Sequence, residues 1–206
     1  YLVRATNANG YTTSMEANLF ESITTLGGYG GDNFDDNTTD LAKWVANDFS
    51  RDGVFTEANG TLIFSAPTGG DVSVTRIWKA NAMPYDSDWM AMVDVKLLNY
   101  TLTGSQVLEI GMGVSLQGDL EKGATLALER DASNSFFHAE TYVAGGADEN
   151  STITSSTYAG LRFRWDANST MLYAEFDDNA SDSTKTWQTL DSWNLSAGLT
   201  NWDLNS

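Results

Sequence analysis

The stretch VLEIGMGVSL, at 107–116, alternates between apolar residues and small or polar residues. The even positions from Leu108 to Leu116 are all apolar, and the odd positions between them carry Glu109, two glycines and a serine. Side chains of a β-strand point alternately to its two faces, so this pattern predicts a strand with one face in a core and the other face unusually bare. Segments of this kind bury their apolar faces by packing sheet against sheet.

The same period of two dominates most of the chain, whereas the helical spacing of apolar residues is almost absent. Clusters of Gly, Asn, Asp and Ser separate the segments, and these residues favour turns. We therefore predict an all-β fold of antiparallel strands, a hairpin turn from Asp166 to Ser169, and a short helix at 38–43. The predicted strands are 61–66, 72–79, 89–98, 106–116, 124–130, 135–143, 159–166, 170–177 and 185–190.

The first residues, YLVRATNANGYTTS, resemble the last two strands of a fibronectin type III module. This resemblance implies that residues 1–24 are an N-terminal strand and linker, the end of a preceding domain, and that 25–206 form the main domain. The alternative is a first hairpin of the same domain, turning at Asn9-Gly10, a dipeptide suited to a tight turn. The segment TLGGYGG, at 25–31, is typical of a flexible joint.

The charge of the chain excludes several classes of partner. With 28 acidic and 11 basic residues, the formal net charge is −17, which repels the phosphates of nucleic acids and anionic membranes. No apolar run approaches the roughly 18 residues that a membrane span requires. We therefore expect no nucleic-acid partner and no membrane insertion.

The content of cysteine and histidine limits the possible chemistry. The chain has no cysteine, which excludes disulfides, thiol catalysis and thiolate zinc sites. His138 is its one histidine, so a Ser-His-Asp triad would need that residue as its base. Because the chain begins with Tyr1 rather than Met, we expect a part of a longer, multidomain protein.

The succession DNFDDNTTDLAKW, NGTLIF, VDVKLL and GLRFRWDANSTMLYAEFDD resembles the concanavalin A-like lectin and glucanase superfamily, as a LamG-like module covering about 31–206. The resemblance implies a jelly-roll β-sandwich of two antiparallel sheets, one of them concave. It also implies a secreted or cell-surface location.

The resemblance further implies a structural Ca²⁺ ion as cofactor. Its ligands would be the carbonyl oxygens of Asn33 and Gly60 and the carboxylate of Asp203, a set of oxygens that suits calcium. Aspartates at 32, 35 and 36 could add negative charge to such a site. The alternative is that the aspartates of GGDNFDDNTTD only cap turns, with Asp40 at the start of a helical turn.

Catalysis is not favoured by the sequence. Related glucanases place Glu-x-Asp-x-Glu on one concave strand, and the nearest segment here, EIGMG, keeps only Glu109 and has glycines at the other two places. A lyase-like role for His138 with Tyr142 stays open, because both lie on the same face of a predicted strand. We therefore expect a protein without catalytic residues, with a polysaccharide hydrolase or lyase as the alternative and a ligand-free spacer as a third interpretation.

The favoured function is a carbohydrate-binding or adhesive, lectin-like module, whose partners are a glycan and the other domains of the parent chain. Sugars stack on aromatic rings and bond to polar side chains, and alternation directs several such residues away from the core. Cross-strand pairs of Arg and Glu are also expected on an outer face. The candidate ligand residues on the concave face are Glu109, Phe136, His138, Glu140, Tyr142, Arg162, Arg164 and Tyr173, whereas Trp78, Trp89, Trp187 and Trp193 are better assigned to the core.

Overall fold

The computed structural model shows an all-β protein built as a sandwich of two antiparallel sheets. It describes residues 2–8, 14–18, 32, 34–45, 49–51, 53–65, 71–77, 83–99, 102, 106–116, 119–143, 146–181 and 184–204. The all-β prediction is thus confirmed.

Each sheet has seven strands within the described part of the chain. The first sheet contains, in spatial order, β11 (Gly146–Thr154), β10 (Ser135–Val143), β9 (Asp119–Arg130), β8 (Leu108–Leu116), β1 (Leu2–Ala8), β6 (Asp71–Ile77) and β3 (Phe49–Arg51). The second contains, in spatial order, β14 (Gln188–Asn194), β13 (Met171–Asp177), β12 (Tyr158–Asp166), β7 (Trp89–Asn99), β2 (Ser14–Asn18), β5 (Thr61–Ser65) and β4 (Val54–Ala58).

The two strands near the N-terminus belong to these sheets. β1 pairs with β6 and β8, and β2 pairs with β5 and β7, so the two strands lie in different sheets. A boundary after residue 24 would therefore separate β1 and β2 from the strands with which they pair. The hairpin interpretation also needs correction, since the chain crosses from one sheet to the other between β1 and β2.

The core lies between the sheets and is built by the alternation seen in the sequence. Strand β10 buries every second residue, including Phe137 and Ala139, and β12 buries Leu161, Phe163 and Trp165. The rings of Phe137 and Phe176, one from each sheet, stack with centroids 4.1 Å apart. Such contacts join the two apolar faces into one core.

Most predicted strands are present with bounds shifted by a few residues, and 135–143 is reproduced in full. The hairpin turn after β12 is confirmed, because the Asp166 carboxylate accepts hydrogen bonds from the N–H groups of Asn168 and Ser169. The helix predicted at 38–43 is instead a single turn, in which the N–H groups of Lys43 and Trp44 donate to the Asp40 carbonyl. Strands β3, β4 and β11 were not predicted.

The contact between Phe137 and Phe176 should account for a large part of the stability of the sandwich. We expect Phe137→Ala to lower the free energy of unfolding by about 3–5 kcal/mol, because it removes a fully buried ring and leaves a cavity. Denaturation in urea, followed by tryptophan fluorescence, measures the change. Ile153→Ala is the control, because that side chain is 71% exposed and its loss should change stability by less than about 0.5 kcal/mol. Equal effects of the two substitutions would contradict this account of the core.

Candidate functional site

The eight candidate ligand residues lie on two opposite surfaces of the sandwich. Glu109 is on β8, and Phe136, His138, Glu140 and Tyr142 are on β10, all in the first sheet. The other three, Arg162, Arg164 and Tyr173, are on β12 and β13 of the second sheet. Because the core separates the two sheets, the structure does not bring all eight together on one face. Alternation distinguishes the inside of a strand from its outside, but not one sheet from the other.

We call the outer surface of the first sheet over β8 to β11 the His138 face. Strand pairing arranges it in four rows across the strands. From β8 to β11, the rows are Glu109, Glu129, Phe136 and Ile153; Gly111, Ala127, His138 and Ser151; Gly113, Thr125, Glu140 and Glu149; and Ser115, Gly123, Tyr142 and Ala147.

Small residues occupy much of the His138 face on β8 and β9. At Gly111 an added Cβ would lie 2.8 Å from the Cβ of Ala127, which is too close for any other residue without a shift of the strands. An added Cβ at Gly123 would collide with the hydroxyl group of Tyr142, so the Tyr142 ring lies over that glycine. Tyr142 thus lies among small residues of this face, whereas Phe136 stands between Glu129 and Ile153.

His138 lies at the centre of a cluster of carboxylates. Its Nδ1 is 2.6 Å from Oε1 of Glu129, and its Nε2 is 3.6 Å from Oε2 of Glu149. The hydrogen bond to Glu129 and the negative charges of Glu129, Glu109 and Glu149 outweigh the opposing effect of burial and raise the pKa of His138 to about 9. The imidazole is therefore protonated at neutral pH, and both ring nitrogens are donors.

An open depression of about 410 Å³ lies beside this cluster. Its lining residues are Phe136, His138, Glu129, Glu149, Asn150 and Ser151. Sequence reasoning missed the last four of these. The alternation of 124–130 was sufficient to place Glu129 on the outer side, opposite Leu126 and Leu128, whereas the other three belong to β11, which was not predicted.

We call the outer surface of the second sheet over β7, β12 and β13 the Arg162 face. The buried carboxylate of Glu175 accepts from Arg162 Nη2 at 2.6 Å through one oxygen and from Arg164 Nη2 at 3.2 Å through the other. This confirms the predicted cross-strand Arg and Glu pairs. Arg164 stacks on the ring of Tyr173 at 3.9 Å, and Arg162 stacks on the ring of Trp187 at 4.2 Å. The three predicted ligand residues of this face thus contact one another or Glu175, and burial lowers the pKa of Arg162.

The tryptophans differ in their placement. Trp193 is in the core, as predicted, and Trp89 is partly buried and stacks on Trp165. Trp187 instead lies on the Arg162 face, where it contacts Arg162. Trp78 lies outside the described residues.

The aspartates at the start of the main segment cap turns. Asp32, Asp36 and Asp40 each accept a hydrogen bond from the N–H group two residues later. Asp32 is buried, and its carboxylate also accepts from the indole N–H of Trp44 and from Lys43 Nζ at 3.5 Å. Phe34 and Trp44 are fully buried, as predicted. Protein donors therefore compensate the charge of Asp32.

The predicted calcium ligands are only partly described. Asn33 lies outside the described residues, and Gly60 lies in the tight turn between β4 and β5, where its φ is +73°. The carboxylate of Asp203 accepts a hydrogen bond from Lys122 Nζ at 2.9 Å, so it already has a cationic partner. No group of three or more His, Cys, Asp or Glu residues with the geometry of a metal site occurs in the described part of the chain. In this structure the partner of the Asp203 carboxylate is therefore a lysine, and the calcium site stays a prediction.

Comparison of the chain with family models, with curated proteins and with solved structures finds no match. Among the described residues, no helix is long and apolar enough to span a membrane.

The role of Asp203 can be tested by comparing stability with and without calcium. Because Lys122 is its partner, we expect Asp203→Ala to lower the melting temperature equally in Ca²⁺ and in EDTA. The hydrogen bond with Asp203 also raises the pKa of Lys122. Differential scanning fluorimetry under both conditions measures the shift, with Asp86→Ala as an exposed control. A loss confined to the calcium sample would instead establish Asp203 as a calcium ligand.

His138 should titrate far above the usual range for histidine. Because folding raises its pKa from 6.5 to about 9, protonated His138 stabilises the folded state fully below pH 6.5, and this stabilisation is lost as the pH rises through 9. Over this interval, we expect the free energy of unfolding of the wild type to fall by about 2 kcal/mol relative to that of His138→Gln. This is less than the full pKa shift implies, because water reaches the side chain.

The one histidine of the chain makes its proton NMR signal unambiguous. Titration of that signal gives the pKa directly, and Glu129→Gln should move the midpoint back toward 6.5. A midpoint near 6.5 in the wild type would contradict the geometry of the cluster.

Proposed function

We propose that this chain is a noncatalytic carbohydrate-binding or adhesive module that holds a glycan on the His138 face. The observation that supports the proposal best is the combination of an open depression with two outward-facing aromatic residues of β10 and the polar residues between them. Phe136 and Tyr142 are six residues apart on β10, a distance of about 20 Å along a strand. A binding surface of that length suits an extended oligosaccharide rather than a single sugar.

The chemistry of this face suits sugars. The apolar side of a sugar ring stacks on an aromatic ring, and the hydroxyl groups need both donors and acceptors at the edge. The carboxylates of Glu129 and Glu149 are acceptors, and protonated His138 is a donor. These three residues line the same depression as Phe136.

The charge of the face narrows the class of glycan. Four glutamates, Glu109, Glu129, Glu140 and Glu149, accompany one cationic residue, His138, on the four rows, and the whole chain has a net charge of −17. This field repels sulfated and uronic-acid polymers. The proposed ligand is therefore a neutral polysaccharide.

The proposal includes the finer assignments that the sequence resemblance implied. These are a concanavalin A-like jelly roll, a secreted or cell-surface location, and membership of a multidomain protein whose other domains are neighbours. The two-sheet architecture supports the first of them. Calcium is the proposed structural cofactor only if the Asp203 experiment shows a loss confined to calcium.

The protonation state of His138 favours binding over catalysis. A general base must be unprotonated, and a histidine with a pKa of about 9 is neutral in only about 1% of molecules at pH 7. The glycines of EIGMG also leave Glu109 without the two other carboxylates of the glucanase pattern. A hydrolase, a lyase and a ligand-free spacer are the alternative outcomes of the test.

A screen of purified protein against neutral and acidic polysaccharides tests the proposal. We expect binding to a neutral polysaccharide, and we expect Phe136→Ala to weaken it about tenfold, because removing the ring removes the stacking contact. Isothermal titration calorimetry measures the affinity. Tyr173→Ala is the matched control, since it removes an aromatic ring from the opposite face of the sandwich.

Three outcomes would count against the proposal. Absence of binding to every polysaccharide would favour the spacer interpretation. Shortened or unsaturated oligosaccharides in the samples would instead show an enzyme. Equal weakening by Phe136→Ala and Tyr173→Ala would remove the His138 face as the binding surface.

A further inference from the structure

A lysine and an aspartate make an unusually well-buried contact on the Arg162 face. Lys185 Nζ lies 2.8 Å from Oδ2 of Asp94, and the two side chains are 20% and 3% exposed. Asp94 belongs to β7 inside the second sheet, and Lys185 precedes β14 at its edge. The other oxygen of Asp94, Oδ1, is buried and has no hydrogen-bond partner among the described residues.

A second buried carboxylate stands next to this pair. Gly160 on β12 is paired with Asp94 on one side and with Asp177 of β13 on the other. An added Cβ at Gly160 would lie 3.2 Å from Asp94 Oδ1 and 3.4 Å from the Cβ of Asp177. Because Gly160 has no side chain, Asp94 and Asp177 face each other across β12. Asp177 is 2% exposed and accepts hydrogen bonds from the N–H groups of Asn179 and Thr186.

The indole of Trp187 covers the same place. Its Cη2 atom is also 3.2 Å from the position of the added Cβ at Gly160. Burial raises the pKa of Asp94, the bond to Lys185 opposes this effect, and the nearby charge of Asp177 adds to it. Partial exclusion of water lowers the cost of a neutral pair of amine and carboxylic acid relative to the ion pair.

We propose that Lys185 and Asp94 join in an intramolecular isopeptide bond between Nζ of the lysine and Cγ of the aspartate. The lysine ammonium transfers one proton to the Asp94 carboxylate, which gives a free amine and a carboxylic acid. The amine lone pair attacks Cγ, a C–N bond forms, the C–OH bond breaks, and one water molecule leaves. Asp177 accepts a proton from the attacking nitrogen and returns it to the departing hydroxyl group, so it ends in its starting state.

The product would fasten an edge segment to the centre of a sheet. Lys185 follows β13 by eight residues, and the amide would hold it permanently against β7, 91 positions earlier in the chain. Trp187 and Thr186 already hold this segment through Arg162 and Asp177. The cross-link is independent of glycan binding, because it lies on the face opposite His138.

Another lysine and aspartate pair in the same chain provides an internal comparison. Lys122 Nζ is 2.9 Å from Asp203 Oδ2, almost the same distance, but the Asp203 side chain is 54% exposed. The two lysines are about equally exposed, at 19% and 20%, so the pairs differ in the aspartate. Water solvates the Asp203 carboxylate and favours the ion pair there, and an ammonium ion is not a nucleophile. We therefore expect the amide at Lys185 and none at Lys122.

Mass spectrometry of the full chain under denaturing conditions is the test. We expect a mass lower by one water molecule than the sequence gives. After digestion with trypsin, peptide 80–96 should be joined to peptide 165–206 through an uncleaved Lys185. A wild-type mass equal to that of the sequence, with free peptides, would overturn the proposal and leave Lys185 and Asp94 as an ion pair.

Three variants complete the experiment. Lys185→Arg keeps the positive charge but supplies a guanidinium that does not form the amide. We therefore expect the mass of this variant to equal the mass calculated from its sequence. Lys122→Arg is the matched control and should keep the reduced mass. Asp177→Asn should slow the reaction, which is measured as the fraction of chains with the reduced mass at successive times after a pulse of cell-free synthesis. Loss of water that persists in Lys185→Arg would place the bond elsewhere and overturn the proposal.

Discussion

The packing of the two sheets through their inner faces determines most other features of the molecule. A strand offers the core only every second residue, so once Phe137 and Phe176 meet between the sheets, their neighbours along β10 and β13 must face outward. A shift of one residue in the register would exchange the two sets and expose the core. The composition of both outer faces thus follows from the requirement to fill the space between the sheets.

The carboxylates of the two outer faces have different surroundings. On the Arg162 face, Asp94, Glu175 and Asp177 are all at least 95% buried, and each has donors close by, from Lys185, from the two arginines, or from backbone N–H groups. Burying a carboxylate is costly unless such donors are present, so the buried acids of this face are bonded to groups of the protein itself. On the His138 face, by contrast, Glu129 and Glu149 line an open depression, and His138 lies between them. A ligand can reach those polar groups without first displacing a buried ion pair.

The sequence predicted those parts of the fold where local pattern and burial coincide. Strand β10 alternates fully, and its predicted bounds are those of the structure. Strand β11, GADENSTIT, was missed because it is an edge strand exposed along most of its length, with no apolar alternation to signal it. The dipeptide Asn9-Gly10 favours a hairpin, but β1 and β2 lie in different sheets because their partners are distant in the chain. Local turn chemistry carries no information about those partners.

The candidate site shows the same division between local and distant information. Alternation directed Phe136, His138, Glu140 and Tyr142 to one side of β10, but it could not show that Glu149 and Ser151 complete their rows from an unpredicted strand. Alternation also could not show that the outward residues of β10 and those of the second sheet, such as Arg162 and Tyr173, lie on different faces. Outward residues alternate with core residues in the same way in both sheets. The sheet to which a strand belongs is decided by pairing between segments tens of residues apart. For this reason the chemistry of each face could be anticipated from the sequence, whereas the combination of residues on it required the fold.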